Sequence, residues 1–183
     1  MIILPNKYER LASALRIFVH KNSLKKGVSA KQIKNMRKIV IFEALKCHNE
    51  LLPIDITEHA SKLLSLIYIR KLQNSKTFSF SIKTKGTFMI NPRLFSCLIL
   101  SLCENCEKIR ISQLNEKIII TAKNPNKESL CLAKAIKGLV LFERKTKNLS
   151  LVLSPDTTDK EPIPCGLDPQ SLINPFSAVN VFG

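Results

Sequence analysis

Two hydrophobic periods alternate along this chain. From Tyr8 to about Lys25, Leu11, Leu15, Phe18 and Val19 recur at helical spacing, and Gly27 closes the stretch. Ser29-Ala30-Lys31-Gln32 has the form of a capping box, in which the serine oxygen accepts from the helix backbone and the glutamine reaches back. A second helix is predicted from there to about Leu51, with Ile33, Met36, Val40, Ala44, Cys47 and Leu51 as its apolar stripe. The even step through positions 33, 40 and 47 suits helices packed side by side. Together they predict a helical hairpin, which buries little alone and needs a partner hairpin or the rest of the chain.

Pro53 breaks this pattern, and Asp55-Ile56-Thr57-Glu58 has the form of another helix start. Ile56, Ala60, Leu63, Leu64 and Ile67 carry the third helix. The period then changes to two. Phe78, Phe80 and Ile82 alternate with Thr77, Ser79 and Ser81, which predicts a half-buried strand. Gly86 turns the chain into a short strand, Thr87 to Ile90. Asn91-Pro92 opens a fourth helix, with proline at the first helical position, running to about Lys108. Strands are predicted at Ile109–Ser112 and Lys117–Ala122, with a turn around Asn115. Asn124-Pro125-Asn126 is a loop and helix start. Leu130, Ala133, Ile136, Val140 and Leu141 carry a fifth helix, and Asn148–Leu153 is a last strand. The order is α–α, then α–β–β–α–β–β–α–β. It predicts an α+β fold: an N-terminal helical hairpin, then a layer of helices on a mixed, mostly antiparallel sheet. Three parts are expected: a hairpin at 1–52, a sandwich at 53–154 and a proline-rich, aperiodic, flexible tail at 155–183. The tail ends in the apolar FSAVNVFG, which would dock on the body or on a partner.

Composition changes this picture in three ways. At 183 residues and 45% apolar, the chain is long enough to bury a core. Only five glycines are present, which weighs against a loop that cradles phosphate with bare backbone. No apolar run approaches membrane length, and the N-terminus lacks the form of a signal peptide, so a cytoplasmic protein is expected. Cys103 and Cys106 make a C-x-x-C, a spacing used by zinc and by redox dithiols. They lie in an apolar helical run with no second such pair, which favours small buried hydrophobes.

The charge is +15 and uneven. Residues 1–42 carry ten lysines and arginines against Glu9 alone. Such a face either stays solvated or attracts a polyanion: nucleic acid, acidic lipid or an acidic protein surface. Only Tyr8 and Tyr68 join an aromatic ring to a polar tip, a poor basis for base stacking.

Four segments carry a resemblance. They are KQIKNMRKIVIFEALKCHNELL at 31–52, Ile54-Asp-Ile-Thr-Glu-His59, Asn91-Pro-Arg-Leu94 and Ser101-Leu-Cys-Glu104-Asn105-Cys-Glu-Lys108. From about Ser29 to Leu153 the chain resembles the core of bacterial sensor histidine kinases. That core is a dimerisation and phosphotransfer hairpin followed by a GHKL-type ATPase-like sandwich. The last segment is similar to the family's asparagine box, with Ser101 in place of its first asparagine. The resemblance implies that Asn105 would hold magnesium, Glu104 would sit near the reacting water or phosphate, and Lys108 would meet phosphate. A hard cation wants oxygen ligands, and a triphosphate needs cationic neutralisation. The residues by themselves also read as the polar end of a buried helix.

The resemblance then breaks. An Asp-x-Gly-x-Gly motif is due after the second strand of the hairpin, and Lys123-Asn-Pro-Asn-Lys127 stands there. No lid intervenes. Ser129-Leu-Cys131-Leu132 stands where the family has Gly-Leu-Gly-Leu, so side chains replace glycines that admit phosphate to backbone N–H groups. His20 falls on the first hairpin helix, the element of the family's phospho-acceptor, but Lys21 replaces the acid that would act as base. His20 is therefore either a phospho-acceptor or a surface histidine. The expectation is a degenerate, pseudokinase-like protein of two-component signalling, working in phosphotransfer or as an adaptor. It would dock a response regulator, dimerise through the hairpin and take no cofactor. The alternative is a kinase or ATPase with a minimal pocket that retains Mg-ATP. A nucleic-acid-binding module on the basic N-terminal helices ranks last, since no helix-turn-helix or aromatic platform is evident.

Overall fold

A computed structural model describes residues 30–46, 48–70, 77–81, 87–155 and 161–162. His20, the first hairpin helix, Gly27, the Ser29 cap, Ile82, Gly86 and nearly all of the tail lie outside the described residues. Within them the order is α1 (Ala30–Lys46), β1 (Leu52–Asp55), α2 (Ile56–Arg70), β2 (Thr77–Ser81), β3 (Thr87–Ile90), α3 (Pro92–Asn105), β4 (Lys108–Leu114), β5 (Lys117–Lys123), α4 (Lys127–Ala135), β6 (Leu139–Glu143) and β7 (Asn148–Leu153). The fold class is the expected one, α+β with a mixed, mostly antiparallel sheet.

The main sheet runs β2-β4-β5-β7-β6, with β2 parallel to β4 and every other pairing antiparallel. Its register puts Ile109, Ile111, Ile118, Ile120, Ala122, Leu149, Leu151 and Leu153 on one face, all buried. A one-residue slip would turn that whole set to solvent, so the alternation of apolar and polar positions fixes the register. Two residues with positive φ, Asn115 and Glu116, turn β4 into β5. That sign at both central positions matches the right-handed twist of a hairpin.

The helices cover this face, and α3 lies at the centre of the layer. Asn91 caps it: its Oδ1 accepts from the amides of Arg93 at 2.9 Å and Leu94 at 3.0 Å, and Pro92 follows at the first helical position. Apart from Arg93, α3 is buried from Pro92 through Cys103. At roughly 1.5–3 kcal/mol per fully buried large side chain, Leu94, Phe95, Leu98, Ile99, Leu100 and Leu102 make this helix the main store of apolar stabilisation. Asp55 caps α2 as expected, accepting from Thr57 at 2.9 Å and Glu58 at 3.1 Å. Val40, Ile41 and Ala44 of α1 join the same core cluster.

Three expectations about elements need correction. The helix α1 ends at Lys46 rather than near Leu51, because Leu52 to Asp55 form a strand that pairs with β3, placing Ile54 against Phe88. The strand β3 pairs with β1 in a separate two-stranded ribbon, and β2 joins the main sheet. The helix α3 stops at Asn105, where Cys106 becomes extended and its amide bonds back to Leu102 at 2.9 Å. Lys108 therefore opens β4. Finally, α4 ends at Ala135, and Val140 and Leu141 lie in β6 rather than on a helix. Gly138 explains this last break. A Cβ there would come within 2.8 Å of the Val152 carbonyl oxygen and 2.9 Å of the Leu153 side chain.

Candidate functional site

The asparagine-box residues occupy the C-terminal turn of α3, against the first turn of α4. Two polar side chains are fully buried at this contact, Ser101 and Ser129. The Ser101 hydroxyl donates to Glu128 Oε1 at 2.8 Å and lies 2.9 Å from Ser129 Oγ. A hydroxyl has one hydrogen, so with that hydrogen on Glu128, Ser101 Oγ accepts from Ser129. Asn126 Oδ1 in turn accepts the Ser129 amide at 2.8 Å and caps α4. The chain reaches this cap from β5 through Asn124, Pro125 and Asn126 alone, with Asn124 at positive φ.

This interlock gives the end of α4 its electrostatic character. A helix N-terminus favours an anion, because its first amides point outward and its dipole is positive there. Here the anion is part of the chain: the Glu128 carboxylate sits in the first turn and is held by Ser101. A second anion brought to the same turn would meet both that carboxylate and an amide already capped. Serines at 101 and 129 give the contact polar side chains that satisfy each other.

Glu104 and Asn105 stand at the end of α3. Glu104 is half-buried and Asn105 exposed. Asn105 Nδ2 donates to the Ser101 carbonyl at 2.8 Å, so the amide folds back on its own helix and leaves Oδ1 as the atom able to face a cation. Lys108 is not with them. As the first residue of β4 it pairs in register with Lys123 and Thr77, on the sheet face opposite the core. The structure thus brings Glu104 and Asn105 together and sends Lys108 to another surface. Glu128 is the participant that reading the sequence missed. A carboxylate in the first turn after an Asn126 cap is legible as a helix start; its bond to Ser101, 27 positions away, is not.

The described histidines have other roles. His59 is fully buried; its Nε2 lies 2.7 Å from Ser96 Oγ, and its ring meets Phe95 edge-on at 5.7 Å. Ser96 donates its hydrogen to the Pro92 carbonyl at 2.7 Å, which makes His59 Nε2–H the donor in the first contact. Burial pushes the imidazole down from 6.5 to about 4, with Lys62 adding slightly and Glu58 opposing. His48 is exposed, with Nδ1 3.0 Å from the Leu45 carbonyl. Cys103 and Cys106 are buried thiols, each pushed up to about 12 mainly by burial. At neutral pH both are uncharged and behave as part of the core.

No protein-family profile matches the chain, and no curated protein does. Among similar solved structures, the Acinetobacter baumannii histidine kinase AdeS is 12% identical at a TM-score of 0.47, over 80% of this chain and 94% of that one. A histidine kinase from Burkholderia phymatum is 8% identical at a TM-score of 0.44, over 83% of this chain and 99% of that one. The histidine kinase ThkA, solved in complex with the response regulator protein TrrA, is 14% identical at a TM-score of 0.44, over 84% of this chain and 60% of that one. Each is what this chain resembles.

Proposed function

We propose that this protein is a non-catalytic, histidine-kinase-like component of two-component signalling that docks a response regulator. The observation that carries this reading is the Ser101–Glu128–Ser129 interlock. It places a carboxylate and two side chains at the helix start where, by resemblance, phosphate would meet open backbone. A carboxylate there repels a triphosphate by like charge, while Asn105 and Glu104 lack the partner lysine on their helix. Docking has separate support. Lys31, Lys34 and Lys38 are exposed along α1 and fall within one arc of the helix, while Val40, Ile41 and Ala44 are buried. Receiver domains carry an acidic phosphorylation pocket, so this basic face is complementary in sign. Ile39 and Phe42 are also exposed, at 57% and 56%, and suit a second copy of the hairpin as the dimer partner. If His20 is the acceptor, it passes a phosphoryl group supplied by a separate kinase.

Two measurements test the two halves. Any ligand that binds only the folded state raises its melting temperature by mass action. Millimolar Mg-ATP is therefore expected to leave Tm unmoved, and a concentration-dependent rise would return the chain to the ATPases. Calorimetric titration with a receiver domain is expected to show salt-sensitive binding. Lys31→Glu, Lys34→Glu and Lys38→Glu together should weaken it by about tenfold, or ~1.4 kcal/mol. Binding indifferent to these charges would remove α1 as the docking face. Phosphotransfer that survives His20→Ala would remove His20.

A further inference from the structure

On the face of the main sheet opposite the core the described residues are exposed or half-buried, and its two ends differ. At one end lie the start of β4, the end of β5 and the β6–β7 turn. Register sets Lys108 beside Lys123, and Arg110 beside Thr121. Thr121 neighbours Ser150, and Lys123 neighbours Asn148. These residues line a shallow recess of about 690 Å³. The turn Arg144–Lys147 closes onto the same corner, because the Asn124 amide bonds to the Lys147 carbonyl at 2.9 Å. Ser79 is the register neighbour of Arg110 on β2, and its buried hydroxyl has no hydrogen-bond partner among the described residues.

Lys108, Arg110 and Lys123 line the recess, and Arg144, Lys145 and Lys147 lie on the turn beside it, six cations in all. Lys123 has Glu107 at 3.6 Å. The other five form no salt bridge among the described residues. Glu143 is taken up by Thr146, whose hydroxyl donates to it at 2.6 Å. The corner therefore concentrates positive charge around neutral donors.

From this juxtaposition we propose that the corner binds the phosphate backbone of a nucleic-acid duplex, without reading its sequence. The chemistry favours that partner over an acidic protein. Protein interfaces rely on aromatic and arginine anchors in dry pockets, and among the described residues no aromatic side chain lines this recess. Nucleic-acid interfaces are more polar, wetter and more positive, as this one is. The missing aromatics also rule the face out as a stacking platform for single strands. Hydroxyls and an amide between cations are the groups that hold phosphates in register. This site is distinct from the α1 face proposed for receiver docking, so either can fail without the other.

The test is fluorescence anisotropy with a short labelled DNA duplex and the full chain, across salt from about 50 to about 200 mM. The expected result is binding that weakens steeply and linearly in log–log form. The Arg110→Glu, Lys123→Glu, Lys147→Glu variant should lose roughly tenfold or more in affinity. Its salt slope should flatten by about 2.7, at ~0.9 per phosphate contact. Arg144→Glu with Lys145→Glu, confined to the exposed turn, should flatten it by about 1.8 on the same basis and guards against misfolding of the first variant. The Lys31, Lys34, Lys38 variant should keep the slope. Three outcomes would overturn the proposal: no duplex binding at the lowest salt, corner variants that bind like the parent, or preferred binding to phosphatidylserine–phosphatidylcholine vesicles. The last would point to a membrane surface seated on the corner and on Leu139 and Leu141, which share this face and are 59% and 55% exposed.

Discussion

Burial leaves His59 neutral, and this makes one side chain a source of acid sensitivity. Its pKa falls from 6.5 unfolded to about 4 folded. Between those values the unfolded chain binds the extra proton and the folded chain does not, so folding stability rises with pH across the window. The contribution is intact above 6.5 and is lost as pH falls toward 4. A difference of this size corresponds to about 3 kcal/mol. Urea unfolding at a series of pH values from 7 to 4 should show that loss in the parent, over and above the carboxylates. In His59→Leu the loss should be smaller by about this amount. Equal pH dependence in both proteins would mean that His59 takes up its proton as readily in the fold as in the unfolded chain. Its role was not legible in the sequence. A histidine one turn into an amphipathic helix reads equally as surface or core, and only Ser96, on another helix, decides it.

At the scale of elements, the informative difference is the end of α4. Ile136, Val140 and Leu141 continue the helical spacing of Leu130 and Ala133, so periodicity alone runs the helix past its true end. Gly138 was the available signal. Glycine costs about 1 kcal/mol in a helix interior, and Val140 and Phe142, a β-branched and an aromatic residue after it, suit a strand. The structure adds a steric reason: β7 backbone passes where a Cβ at 138 would stand. Gly138→Ala should therefore destabilise the fold by ~1–3 kcal/mol through overpacking against β7, read as a lower urea midpoint at unchanged slope. An unchanged midpoint would mean that the Val152 carbonyl yields without cost. The strand β1 was hidden for a related reason. Proline at position 53 disfavours a central strand but is tolerated in a two-stranded ribbon, where one edge needs no donor. By contrast, Asn91-Pro92 and Asp55 marked their helix starts correctly, because a cap is a local bond between neighbours in sequence.

At the scale of the whole molecule, what the sequence concealed was contact between distant segments. The alternation of β4, β5 and β7 was legible, since it rests on a short period, whereas β1 and β6 were missing from the expected order. The Ser101–Glu128 bond and the basic corner were not, since each depends on which strands and helices become neighbours. The same holds for α1. Its stripe reads as half of a hairpin, yet Val40, Ile41 and Ala44 lie in one cluster with α3 and the sheet. A helix that shares a core should unfold with it. Ala44 is fully buried, and Asp at that position would place an unpaired charge among apolar groups. Ala44→Asp is expected to lower stability by roughly 3 kcal/mol or more. The chain has no tryptophan, so tyrosine fluorescence and far-UV circular dichroism are the probes. Both should move together to a lower urea midpoint in a single transition, because removing α1 from the core exposes the α3 surface it covered. If dichroism alone loses a helical phase while the sheet holds its midpoint, α1 is an appendage. Its basic face would then present itself to a partner independently of the sandwich.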